Sequence, residues 1–264
     1  ASDVYKRQVL IKILVCILAS LGAGLGTGLA GLSAAAVISP MLITFLHIPA
    51  YQAIGIALAS DVLASGVSAV IYGKNKNLDI KNGFIMMIFV LLFTYLGSLA
   101  SSNVNSDGLG YFSIIITILI GLKFIILPTS KPRGRQRQEL KRWIRAVQSI
   151  LFGAIIGFIC GFVGAGGGMM MLIVLTMILG YDLKMAVGTS VFIMTFTAFT
   201  GAVSHFVIGG IYDVWVLVLC VVFTCIFAQL ASVFANKASE KLQNRTTGIV
   251  LAALGIVMLI FNLI

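Results

Sequence analysis

Residues 161–175 read GFVGAGGGMMMLIVL, with glycines at 164, 166, 167 and 168 and an unbroken apolar run straight after them. Glycine lets a ligand or a second backbone come close to the main chain. A helix that starts at such a cluster presents unpaired N–H groups and the positive end of its dipole. The two together suit an oxyanion. The candidate donors here are Gly164, Gly166, Gly167 and Gly168. GLSAAA at 31–36 is the counterpart, with Gly31, Ser33 and Ala34 at the equivalent places and the Ser33 hydroxyl as a further donor. Close packing between membrane helices is the alternative use of these glycines.

Asp61 is the most informative single residue. It stands eleven residues from each end of the apolar segment 50–72, where an ionisable group is costly and points to function. It can bind a proton or a cation and couple it to transport; an Asp satisfied by a neighbouring helix is the alternative. Asp61, Ser65, Ser68 and Tyr72 lie at i, i+4, i+7 and i+11, on one helix face. VGTS at 187–190 adds the hydroxyls of Thr189 and Ser190, and Thr195, Thr197 and Thr200 follow. These residues line a pathway or bond their own backbone carbonyls. His205, near a segment end, reads as an interfacial histidine.

Ten apolar segments must position these groups, at about 9–29, 34–47, 50–72, 83–100, 109–128, 146–163, 168–180, 183–208, 212–235 and 246–264. They form two sets of five around a basic linker, 129–145. A shift of 133 places lays Gly24 on Gly157, Gly28 on Gly161 and Gly31 on Gly164. It also lays Leu42 on Leu175, Leu46 on Leu179, Ala53 on Ala186 and Gly55 on Gly188. Ser20, Gly24 and Gly28 then match Gly153, Gly157 and Gly161, small residues four apart that let helices approach closely. Asp61, Ser65, Ser68 and Tyr72 match Met194, Ala198, Gly201 and His205.

Loop charge sets the orientation. Loop 73–82 carries Lys74, Lys76 and Lys81 against Asp79, while its counterpart near 209–213 carries Asp213 and no base. Loop 101–110 carries only Asp107, while 236–246 carries Lys237, Lys241 and Arg245 against Glu240. Equivalent loops with opposite charge place the two copies in opposite orientations. Ten crossings put both termini outside, which Lys12 opposes; re-entrant pairs 1–2 and 6–7 would leave three crossings per copy. Segments 34–46 and 168–180 are too short to span. Thirteen helical residues cover about 20 Å against a hydrocarbon core of roughly 30 Å. Half-spans of this kind turn inside the membrane, where irregular backbone must be buried in protein or line a cavity.

Composition agrees. Of 264 residues 60% are hydrophobic and 10% charged, with mean hydropathy +1.11, whereas soluble domains carry about 25% charged residues. The chain reads as an integral membrane protein. The net charge is +10, and seven of the 18 basic residues crowd into one linker (Lys131, Arg133, Arg135, Arg137, Lys141, Arg142, Arg145). That is the mark of a cytoplasmic loop, not of nucleic-acid binding. Cys16, Cys160, Cys220 and Cys225 lie in apolar runs without C-x-x-C spacing and read as buried thiols. GTGLAG at 26–31 lacks the preceding strand and following acid of a dinucleotide site, and no P-loop or metal motif occurs. ASDVYKRQ at the start resembles a translated sequencing adapter rather than a signal peptide.

At these residues the chain resembles the sulfite exporter TauE/SafE family of membrane permeases. The pattern is the Gly-rich end 161–168, the short apolar helix 169–180, and A-x-G-T-S at Ala186–Ser190. GLGTGLAGLSAAAVISPMLITFLHIPAYQAIGIALASD fits the family's first repeat. The resemblance implies an inner-membrane carrier for sulfite, sulfonates, sulfoacetate or other sulfur-bearing anions. It departs where members often carry Pro after the second glycine cluster; here the comparable proline is Pro40, in the first repeat.

The expected protein is all-α and polytopic, with eight to ten transmembrane or re-entrant helices in two inverted repeats. It forms one transmembrane domain over 1–264, with repeat 1 at about 9–128, the linker at 129–145 and repeat 2 at about 146–264. Its expected role is secondary transport of a small anion. Gly31, Ser33, Ala34, Gly164, Gly166, Gly167, Gly168, Thr189 and Ser190 bind the anion, and Asp61 couples protons. No cofactor, metal or nucleic acid is expected. Its partners are the anion and the lipid bilayer, and a homodimer is compatible with the sequence. A channel would instead conduct without saturation, and a non-catalytic subunit would co-purify with its complex. No nucleophile–base pair supports an enzyme.

Overall fold

The computed structural model describes residues 2–102, 142–163, 167–181 and 183–239, with 241–242, 245–246 and 249 beyond them. Segments 109–128 and 250–264, most of the linker, and Gly164 and Gly166 lie outside the described residues. The described chain is helical. Its helices are α1 (Ser2–Ala30), α2 (Ala35–Leu46), α3 (Ala50–Lys74), α4 (Ile80–Ser101), α5 (Arg142–Val163), α6 (Gly167–Ile173), α7 (Leu183–Gly209) and α8 (Val214–Lys237). A π-helical turn, Val174–Ile178, continues α6. Four helices are long and apolar enough to cross a bilayer: Lys6–Ala30, Ala50–Lys74, Leu183–Gly209 and Val214–Lys237. Large apolar side chains such as Leu92, Leu151, Phe199, Val207 and Leu230 are exposed on the outer surface. Such a surface needs lipid rather than water around it. The protein is therefore an all-α polytopic membrane protein.

Small residues set which helices meet. Ser20 of α1 donates to the Cys220 carbonyl of α8. A Cβ on Gly24 would fall 2.6 Å from the Phe227 Cβ, and one on Gly28 2.6 Å from the Ala228 carbonyl oxygen. The matching triplet on α5 lies on α4: Gly153 meets Met86, Gly157 meets Val90 and Gly161 meets Thr94, each through the α4 backbone. Each half thus packs its first long helix against the last described helix of the other half. At the centre α3 lies on α7, with Gly55 beside His205, Leu58 beside Gly201, Gly66 beside Thr195 and Tyr72 beside Gly188.

The order of these contacts gives helix direction. Lys12–Asp213, Ser20–Cys220 and Gly28–Ala231 rise together, so α1 and α8 are parallel. Ser68–Ser232 and Asn77–Asn236 make α3 parallel to α8. By the same reasoning α5 and α7 run with α4, and α3 runs against α7. Helices α1, α3 and α8 therefore point one way, and α4, α5 and α7 the other. Since α1 and α3 point the same way, α2 must return the chain. Its twelve residues cover about 18 Å, short of a full crossing.

Candidate functional site

The turn between α1 and α2 is built by Gly31, whose φ of +65° is in the left-handed region open to glycine. Gly168, at the start of α6, lies directly against it. A Cβ on Gly168 would collide with the Gly31 carbonyl oxygen and come 2.8 Å from the Ser33 nitrogen. The Gly31 turn and the start of α6 therefore cross backbone to backbone. Ser190 of α7 lies over the crossing, its hydroxyl 3.3 Å from the Gly31 carbonyl and 3.2 Å from that of Gly168. A single proton serves both carbonyls, so Ser190 joins the Gly31 turn to the start of α6.

Asp61 reaches the same crossing from α3. It is fully buried. Ser33 donates to its Oδ2 at 2.6 Å, Ser65 to its Oδ1 at 2.7 Å, and the Ala34 N–H also hydrogen-bonds it. The Ala35 N–H is met by the Ser33 hydroxyl at 3.3 Å. The positive start of α2 thus holds the protein's own carboxylate. In the second half the equivalent residue is Met194, whose sulfur stands 3.6 Å from where a Gly167 Cβ would be, beside Cys160.

The structure thus gathers Gly31, Ser33, Ala34, Gly168, Ser190 and Asp61 at one buried point, with Gly167 adjoining. Thr189 is elsewhere: its hydroxyl accepts from the Asp79 N–H at 3.1 Å, in the α3–α4 connection. Gly164 and Gly166 fall outside the described residues. The polar stripe of α3 is engaged by protein. Ser65 serves Asp61, Ser68 accepts from Ser232, and Tyr72 donates to the Gly28 carbonyl at 3.0 Å. Thr195, Thr197 and Thr200 bond the carbonyls four residues back, the alternative reading of these hydroxyls.

His205 corrects the interfacial reading. It is 1% exposed. Nδ1 lies 3.1 Å from the Tyr51 carbonyl oxygen and Nε2 3.0 Å from that of Gly161. Position in the segment suggested an interface because α7 ends four residues later; the first turn of α3 and the end of α5 cover it instead. A signal was present. The shift of 133 pairs Tyr72 with His205 and Gly28 with Gly161, and each pair makes the same side-chain-to-carbonyl bond.

At the opposite end of the bundle from Lys74, Lys76, Lys184 and Lys237, Asp213 caps α8 through the Trp215 and Val216 N–H groups. It pairs with Lys12 at 2.9 Å. Partial burial pushes the Asp213 carboxyl up. The Lys12 hydrogen bond, the Val216 N–H, the Lys12 charge and the Trp215 N–H outweigh it and hold the carboxyl below the usual range.

Comparison with known proteins gives a consistent picture. Residues 16–258 match the family model described as Sulfite exporter TauE/SafE. Bacillus subtilis (strain 168) YunE, named a probable membrane transporter protein, is 27% identical over 210 residues, 72% of this chain and 77% of its own. YdhB of the same organism, with the same kind of name, is 26% identical over 211 residues, 78% of this chain and 83% of its own. The archaeal protein MJ0441 of Methanocaldococcus jannaschii, also so named, is 26% identical over 217 residues, 80% of this chain and 79% of its own. No solved structure matches the chain.

Proposed function

Since the chain belongs to the sulfite exporter TauE/SafE family and is a membrane transporter, we propose that it carries a small anion, a sulfur oxyanion or organosulfonate, by proton-coupled secondary transport. The crossing of the Gly31 turn and the start of α6 beside buried Asp61 carries this reading. Backbone N–H groups of Ser33, Ala34 and Gly164–Gly168 hold the anion, with Ser33 and Ser190 as hydroxyl donors; Gly31 shapes the turn instead, because its N–H and that of Leu32 already serve the Thr27 and Gly26 carbonyls. Thr189 joins them only if the α3–α4 connection moves away from it.

The carboxylate of Asp61 and a substrate anion compete for the donors at the start of α2. Like charges at such a distance disfavour each other strongly in a buried site. Protonating Asp61 removes its charge and frees the Ala34 N–H, so proton and anion bind together. The opposed directions of α1 and α5, of α3 and α7, and of α4 and α8 support two inverted repeats, the architecture in which broken helices meet at a substrate site. Lys74, Lys76, Lys184 and Lys237 lie at one face, from which α5 also starts. The positive-inside rule makes that face, with the linker 129–145, cytoplasmic in the inner membrane.

The test is binding followed by flux. Purified protein is titrated with sulfite, sulfate, thiosulfate, taurine and sulfoacetate while thermal unfolding is followed, since a native-state ligand raises apparent stability. One stabilising anion is expected, and stabilisation by none would remove the sulfur-anion assignment. In liposomes Asp61→Asn should abolish flux driven by a pH gradient and spare exchange of bound substrate. Equal loss of both would remove proton coupling.

A further inference from the structure

His205 is held between two acceptors. Both ring nitrogens lie within hydrogen-bond distance of backbone carbonyl oxygens, Tyr51 at 3.1 Å and Gly161 at 3.0 Å. A neutral imidazole has one N–H and one lone pair, and only the imidazolium has two N–H groups. The neutral ring can satisfy one carbonyl and turns a lone pair toward the other. The protonated ring satisfies both. From this geometry we infer that His205 is a reversible proton-binding site, and that its second proton closes the tie between the first turn of α3 and Gly161 of α5.

The first half gives an internal comparison. Tyr72 makes the equivalent bond to Gly28 with a phenol, a donor that stays protonated across the physiological range. The second half uses the one side chain whose ordinary charge change falls in that range. The groups around the ring are few. Tyr51 faces it from α3, ring centroids 4.2 Å apart and tilted by 35°. Its hydroxyl is turned away to the Ser98 carbonyl of α4. Cys160 precedes the Gly161 acceptor on α5. Gln52, on the same turn of α3, donates to the Gly209 carbonyl. Asp61, ten residues along α3 and about 15 Å of helix away, is turned to Ser33 and Ser65. The Tyr51 and Gly161 carbonyls are therefore the acceptors that face the two ring nitrogens.

The inference does not depend on which anion is carried or on Asp61. Full-length protein in lipid nanodiscs, with ¹⁵N-labelled histidine, is examined by NMR from about pH 5 to about pH 9. The chain has two histidines. His47→Asn assigns the signals, because His47 has φ +51°, a conformation asparagine tolerates. A second sample carries ¹³C-carbonyl tyrosine with ¹⁵N glutamine, which isolates Tyr51, the one tyrosine followed by glutamine. His205 should show two protonated ring nitrogens at acid pH and one at alkaline pH, with the Tyr51 carbonyl moving at the same midpoint or Gly161 released instead. A ring that stays in one protonation state throughout would overturn the site. So would a ring that titrates while the Tyr51 carbonyl stays unchanged and, in a third sample with ¹³C-carbonyl glycine and ¹⁵N phenylalanine, no Gly–Phe carbonyl moves.

Discussion

The two halves solve the same packing problem with different chemistry at their centres. In the first, the start of α2 is a regular helix end whose donors are taken by Asp61 and Ser33. In the second, Met194 stands at the matching place, and glycine meets thiol and thioether instead. The short helices differ too. α2 stays α-helical for twelve residues, whereas α6 widens after seven into a π-helical turn, a geometry frequent at functional sites. One half carries a built-in negative charge, and the other leaves its backbone uncommitted by any carboxylate among the described residues. Matching places in the two halves thus carry a carboxylate in one and sulfur in the other.

The largest effect should come from breaking the crossing itself. Gly168→Leu places side-chain atoms on the Gly31 and Ser33 backbone, and overpacking against main chain costs about 3 kcal/mol. Thermal unfolding in detergent should show a large drop or no folded protein; a wild-type midpoint would mean the turns do not touch.

Asp61→Ala comes next. It strands the donors at the start of α2, at about 2 kcal/mol. It also leaves a vacated anion position, so added formate should stabilise this variant more than wild type. Equal responses would show that the start of α2 has no preference for negative charge.

Tyr72→Phe removes one neutral hydrogen bond to Gly28, about 1 kcal/mol. Its stability deficit should stay constant with pH, in contrast to that of a His205 substitution. A deficit that varied with pH would erase the distinction between the two ties.

Smallest of all is the Lys12–Asp213 pair, half-exposed on the lysine side and worth at most about 1 kcal/mol. The Asp213 carboxyl is held below its ordinary value. Its contribution is therefore complete above the unfolded value, about 3.9, and is lost as pH falls through the lower folded one. Asp213→Asn should match wild type in acid and fall behind it at neutral pH; a gap of constant size would show that the pair contributes no charge-dependent stability.

Much of the scaffold could be read from residue type and spacing. Small residues four apart on α1 and α5 mark close approach, and both triplets do pack on neighbouring backbone. The shortness of 34–46 and 168–180 is visible in the sequence, and α2 has twelve residues while α6 and its π-helical turn have seven and five. Asp61 was marked by its depth in segment 50–72. Its partner Ser33 was named separately, as an anion donor, because the contact spans 28 residues and exists only once α2 folds back. Thr189 and Ser190 are neighbours in sequence yet point to different places, and helix rotation decides which one meets the crossing. The burial of His205 is not legible in the sequence, because distance along a helix does not reveal what covers its end.

The exchange of first helices between halves has a consequence for biosynthesis. The glycine face of α1 finds its partner on α8, 201 residues away at the Lys12–Asp213 contact. When the first half leaves the ribosome, that face has, among the described residues, the Tyr72 bond to Gly28 but not the backbone it packs on. Loop closure over such separations makes assembly slow, and the inserted but unpaired helix must wait in lipid until the last described helix arrives. A nascent chain cut short before residue 214 therefore lacks the partner of its first span, which makes it a ready substrate for membrane quality control.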